Sequence, residues 1–246
     1  MPQQLNETKI EAYMRAVAWM SFSKARDEVT EALHLLDTKV KPKGKALPFQ
    51  LLAVRRYLRI GDSKLHANWS WTEADVRRQY GLEPTRTLYA EATKVQTKFS
   101  QANPGYRLEL TPVRSLERQI GLWMDNSTVQ LASAQLMTDM DRELSKPDYP
   151  DSSGGTAVSK FAGKLRSAVV TPEPTSAAPG ASDHGRGTAV DFIIMQGASR
   201  IAGTAKVEIG PVWDSKGWST KLRAAVAGTK LRGPLKAPYE PWHWYL

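Results

Sequence analysis

A chain of 246 residues with no cysteine can hold a metal ion only through His, Asp or Glu. Its four histidines are the residues whose contexts decide what chemistry is open to it. His34 falls on a helix face and His66 in a polar loop. His184 and His243 differ, because each stands beside carboxylates in a short, unusual stretch. His184 lies in Ser182-Asp183-His184-Gly185-Arg186-Gly187-Thr188-Ala189-Val190-Asp191, and Asp191 falls inside the apolar run that follows. Glycine turns the backbone sharply without steric penalty, so this stretch can double back and bring His184 and Asp191 to one point. Near the C-terminus, Glu240-Pro241-Trp242-His243 sets a carboxylate and an imidazole three residues apart. Two imidazoles and one carboxylate, with a fourth position for water, is a common construction of catalytic zinc. Glu240 would then be a base for that water, and Trp242, Trp244 and Tyr245 would supply an apolar wall.

Ser182-x-His184-x-x-Gly187-x-Ala189-x-Asp191, followed by Glu240-x-x-His243, resembles the paired signature of the zinc D-alanyl-D-alanine carboxypeptidase family. That family includes vancomycin-resistance dipeptidases and carboxypeptidases and the L-alanyl-D-glutamate endopeptidases of phage lysins. Every fixed position of both motifs matches. The resemblance implies His184, Asp191 and His243 as ligands of Zn2+, with Glu240 as general acid and base. Upstream, Thr111-Pro112-Val113-Arg114-Ser115-Leu116-Glu117-Arg118-Gln119 is similar to the family's strand-to-helix segment, although Val113 departs from the small or aromatic residue often found there. This implies Arg114 as the cation that steadies the oxyanion, with Gln119 lining the same cleft. Ser182 and Asp183 are expected to orient the loop and its ligand histidine. The implied substrate is a peptidoglycan stem peptide, cut by a carboxypeptidase or endopeptidase action. The resemblance covers roughly residues 85–246.

The elements that must position these groups are readable from periodicity. From Thr8 to about Val40, Ile10, Met14, Val17, Ala18, Phe22, Ala25, Val29, Leu33 and Leu36 recur at helical spacing. A second helix is expected over Phe49–Ile60. Ser70 with Glu73 reads as a capping box opening a helix to about Tyr80, with Gly81 as its cap and Pro84 as a stop. Helices are expected over Thr87–Gln101, Ser115–Met124, Val129–Leu144 and Trp218–Ala227. Strands are expected over Tyr106–Thr111 and Thr188–Met195, with a third at the aromatic C-terminus. Residues 145–187 shift to Pro, Gly, Ser, Thr and Ala, with one helix-capable island at Val158–Val169. So long a loop reads as a lid over the cleft or as an unstructured connection. The expected fold class is α+β: a small antiparallel sheet flanked by helices carries the zinc site in 85–246, after a helical N-terminal unit in 1–84.

Net charge is +9 and the pI near 9.7, a surface that attracts polyanions such as anionic cell-wall polymers. No Lys/Arg block is dense enough for a nucleic-acid arm, and Lys39–Lys45 reads as a solvated loop, so nucleic acid is not an expected partner. No stretch approaches the roughly 20 apolar residues of a membrane span. Glu7 and Glu11 stand where a secretory signal would be basic, and the apolar run 16–20 is too short for its core. The expectation is a protein made in the cytoplasm without a signal peptide, acting at the cell wall or periplasm after release or injection. It would be a phage lysin or a delivered antibacterial effector, with 1–84 serving wall binding or docking an immunity or delivery partner. The alternative is a non-catalytic cell-wall-binding protein with a structural zinc, against which Glu240 argues, since a structural site needs no base.

Overall fold

The computed structural model describes residues 2–39, 46–151 and 153–246. The loop expected at Lys39–Lys45 lies, from residue 40 on, outside the described residues. In chain order the elements are α1 Pro2–Ser21, α2 Arg26–Lys39, α3 Leu47–Ile60, α4 Asp62–Ala67, α5 Glu73–Gln79, α6 Thr85–Ala102, β1 Tyr106–Leu110, α7 Leu116–Asp125, α8 Ser127–Leu144 and α9 Gly155–Ser167. There follow β2 Ala189–Gln196, β3 Ser199–Ala202, α10 Trp218–Val226, β4 Leu235–Lys236, β5 Tyr239–Glu240 and β6 His243–Tyr245. A short 3-10 turn and a π-helical turn, Ile209–Asp214, connect β3 to α10. The class is α+β as expected, with a small antiparallel sheet and flanking helices.

The chain forms two compact units, Met1–Trp69 with Leu116–Ser182, and Ser70–Ser115 with Asp183–Leu246. The division expected between 84 and 85 is therefore not where the units part. In the first unit α8 packs on α3, and α9 on α1. The apolar stripes of α7, α8 and α9 bury Ile120, Trp123, Leu136 and Phe161 in one cluster with Ile10, Tyr13, Leu36 and Tyr57. An apolar stripe specifies burial but not the partner that provides it, so helices far downstream joined the N-terminal ones.

The single helical pattern expected over 8–40 is two helices. Asp62 makes the break: its carboxylate accepts the backbone N–H of Ser23 at 3.1 Å, Lys24 at 3.0 Å and Ala25 at 2.9 Å, so it fixes the turn between α1 and α2 from a distant element. The 168–182 stretch is neither lid nor unstructured. Arg55, buried, donates to Ala168 O and forks onto Glu173, and Tyr57 Oη donates to Pro179 O at 2.7 Å. These bonds hold that stretch within the first unit's own packing.

In the second unit β2 is the central strand. Its C-terminal half pairs with β1 on one side and β3 on the other, and its first three residues pair with β6, all antiparallel. Alternation sends Val190, Phe192 and Ile194 to a core shared with Leu88, Phe99, Trp213, Leu222, Trp242 and Trp244. The odd-numbered residues Ala189, Asp191 and Ile193 point to the other face. The capping-box expectation is corrected here. α5 follows Thr72, which is extended, while Ser70 is buried and Glu73 accepts from Ser115 Oγ at 2.7 Å.

Candidate metal centre

Strand register brings two of the sequence-derived residues together. Asp191 on β2 lies directly opposite His243 on β6, and directly opposed side chains in an antiparallel pair share a face. The partners before and after alternate to the other face: Val190 opposes Trp244, and Phe192 N–H donates to Trp242 O at 3.0 Å. Trp242 and Trp244 are therefore core, and Trp242 packs its ring against Trp213 at 5.9 Å. The expected aromatic wall around the ligands is overturned for both tryptophans, because period-two alternation points them away from His243. Tyr245 shares the ligands' face, its ring 6.4 Å from that of His243.

His184 arrives from a closed loop. Asp183 O accepts from Thr188 N and Ala189 N, and His184 O accepts from Gly187 N and Arg114 N, each at 3.3 Å. Trp71 N–H donates to Gly185 O at 3.1 Å. The glycines are needed by close approach: a β-carbon on Gly185 would sit 2.0 Å from Ser70 Oγ, and one on Gly187, where φ is +65°, would sit 2.0 Å from Thr85 Oγ1. Ser70, Trp71 and Thr85 thus form the wall on which the loop is moulded. Sequence reading missed them, since nothing in a Ser or Thr marks it as the neighbour of a distant glycine. It also missed Thr111, whose Oγ1 accepts Asp191 N–H at 3.1 Å and whose N–H donates to Asp191 O at 3.0 Å.

His184, Asp191 and His243 are 6%, 6% and 8% exposed. His184 Nε2 and His243 Nδ1 are 3.0 Å apart, His243 Nδ1 and Asp191 Oδ1 3.0 Å, and His184 Nε2 and Asp191 Oδ1 3.3 Å. Two ligands about 2.1 Å from a tetrahedral cation are separated by about 3.3 Å. This buried triangle of two imidazole nitrogens and a carboxylate oxygen therefore has the size and donor chemistry to hold a metal ion. Among the described residues it is the one His/Asp/Glu cluster of that kind. No family model, curated protein or solved structure matches this chain.

The electrostatics of the cluster separate its two carboxylates. Burial pushes the Asp191 carboxyl up, but hydrogen bonds and charge from His184 and His243 outweigh it and hold the group below the usual carboxylate range. Glu240, on β5 opposite Leu235, goes the other way. Burial raises it, with Asp191 adding to the rise while His243, Lys206 and His184 oppose. A fixed anion and a carboxyl of raised basicity thus share the electrostatic influence of the same two histidines.

The remaining sequence-derived residues divide. Arg114 is in the second unit, its main chain bonded to the His184 carbonyl. Asp183 pairs through its carboxylate with Arg186 and through its carbonyl closes the loop, so it shapes the turn. Gln119 and Ser182 belong to the first unit and are buried. The Gln119 amide donates to Ala178 O at 2.9 Å and accepts from Gly180 N at 3.1 Å, which fixes the 178–180 turn. Among the described residues no helix is long and apolar enough to cross a membrane.

Proposed function

We propose that this chain is a zinc metallopeptidase that hydrolyses peptide bonds in the peptidoglycan stem peptide, as the zinc D-alanyl-D-alanine carboxypeptidases do. The observation that carries the reading is the buried triangle of His184 Nε2, His243 Nδ1 and Asp191 Oδ1 at 3.0–3.3 Å, with a carboxyl of raised basicity within its electrostatic reach. Nitrogen and oxygen donors without a thiolate, three from the protein, suit a catalytic zinc site with one position left open. His184, Asp191 and His243 would hold the ion. Zinc bound there supplies Lewis-acid activation of water and of the scissile carbonyl.

The chain's own groups do the rest. Glu240 takes a proton from the attacking water and passes it to the leaving amine as the C–N bond breaks, so water is divided between the new carboxyl and the new amino group. Its raised basicity suits both halves of that transfer. Asp191, held ionised, would serve as the anionic member of the donor set. Arg114 is assigned to the developing oxyanion, where a permanent cation stabilises charge. The resemblance of the two motifs supports the substrate class, and the basic surface suits an anionic wall.

Metal analysis together with digestion of purified sacculi tests the reading. The expected result is one zinc per chain and released muropeptide fragments. Glu240→Ala should lower turnover by roughly a hundredfold to ten-thousandfold while leaving the zinc content unchanged. Zinc retained without any released fragment in the unaltered protein would leave the binding alternative standing and reject the peptidase.

A further inference from the structure

Several cations elsewhere in the chain are matched by a carboxylate close by in sequence. Arg78 pairs with Asp75, Arg86 with Glu83, Lys94 with Glu91, Arg142 with Asp139 and Lys146 with Glu143, each three residues away. The stretch 215–238 breaks this habit. It carries Lys216, Lys221, Arg223, Lys230, Arg232 and Lys236 and not one Asp or Glu. All six are exposed. The second unit as a whole holds sixteen Lys and Arg against ten Asp and Glu, the first eighteen against fifteen, so the chain's excess charge is concentrated here.

The cations also converge. Arg223 on α10 and Lys236 on β4 line one groove of about 460 Å³ with Gly233, Pro234 and Tyr239. Cross-strand pairing puts Lys236 beside Tyr239, and Leu235 beside Glu240. The groove therefore lies on the face of the β4–β5 hairpin opposite to the one Glu240 takes. Neither Arg223 nor Lys236 has an ion-pair partner among the described residues. Asp214, the acid just before the stretch, accepts from Ser219 Oγ and Tyr239 Oη and makes no ion pair with either cation.

We propose that 215–238 is a docking surface for a linear phosphodiester polymer without bases, with Arg223 and Lys236 gripping one phosphate in the groove. Six cations over 24 residues suit a repeating anion better than a single small one, and an Arg fork beside a Lys suits a phosphate oxygen pair. A nucleic acid strand fits less well. Binding of single strands draws on exposed aromatic rings that stack with bases, and no exposed position in 215–238 is aromatic. Trp218 is buried with Lys221 lying over its ring at 4.1 Å, and the Tyr239 hydroxyl is bonded to Asp214. The inference goes beyond the peptidase reading and does not need it.

The test is calorimetric titration of the full chain with poly(glycerol phosphate), with a single-stranded oligonucleotide of equal phosphate count, and with anionic lipid vesicles. The polymer is expected to bind most tightly. The double variant Arg223→Ser/Lys236→Ser should lose roughly tenfold in affinity and flatten the salt dependence by about 1.5 in log–log slope. The pair Arg142→Ser/Lys164→Ser, in the first unit, should bind as the unaltered chain does. His184→Ala should also leave polymer binding intact, which separates this surface from the fate of the metal centre. Equal or tighter binding of the oligonucleotide or vesicles, an unchanged double variant, or binding lost with His184 would each overturn the proposal.

Discussion

A β-carbon built on Gly185 would lie 2.0 Å from Oγ and 2.5 Å from Cβ of Ser70. Both atoms belong to a buried residue, so neither can swing away. Gly185→Ala must therefore push the loop off its wall, and the loop carries His184. Overpacking of this kind costs about 1–3 kcal/mol, and a displaced imidazole weakens metal binding by roughly 10- to 100-fold. Thermal unfolding and metal titration should show both losses, and adding Ser70→Gly, which removes the obstructing atoms, should recover much of each. Failure of that rescue would mean the glycine is needed for something other than the contact. The candidate ligands themselves were legible in the sequence because their chemistry is scarce: with four histidines and no thiol, few combinations could bind a metal. The residues that mould the loop were not legible. Ser70 and Thr85 act through where their atoms happen to lie, and no spacing announces that.

Elements were legible where periodicity alone sets them and failed where a distant group intervenes. The strand holding Asp191 and the aromatic terminal strand could be read from residue type, but their register could not. Register is what opposes Asp191 to His243 and turns Trp242 and Trp244 into the core. The break between α1 and α2 is similar, since the residues there continue the apolar spacing and the stop comes from Asp62. Desolvation pushes the Asp62 carboxyl up, but hydrogen bonds from Ala25, Lys24 and Ser23 dominate and bring it down to about 2. A carboxyl depressed in the folded state contributes stability that is present above its ordinary value of 3.8 and lost as pH falls toward the folded one. Asp62→Ala should thus cost about 1–2 kcal/mol at neutral pH through the lost charged hydrogen bonds. Urea unfolding of the two proteins should show that difference shrinking between about pH 4 and pH 2. A difference that stays constant over that range would show that the side chain acts by packing and not as a charged acceptor.

At the scale of the whole molecule the chain builds two units from interleaved segments, and each has its own apolar cluster. Sequence order predicted one unit after another because helices in 116–167 have no feature naming the N-terminal helices as their partners. All three candidate ligands lie in the unit formed by 70–115 and 183–246, two of them on strands of its sheet and the third on the loop that feeds β2. A ligand that binds only the folded state stabilises what it binds by an amount set by its concentration relative to Kd, about 2.7 kcal/mol at a hundredfold excess. Stripping the metal with a chelator should therefore act on one unit. Hydrogen exchange followed by mass spectrometry, with and without chelator, is expected to show protection falling across β1, β2, β6 and the 183–188 loop. Protection in α3, α8 and α9 should be unchanged. Loss spread evenly over both sets of peptides would mean that the units do not open separately. No loss anywhere would mean that the triangle of His184, Asp191 and His243 holds no ion, because an ion bound only by the folded unit must stabilise that unit.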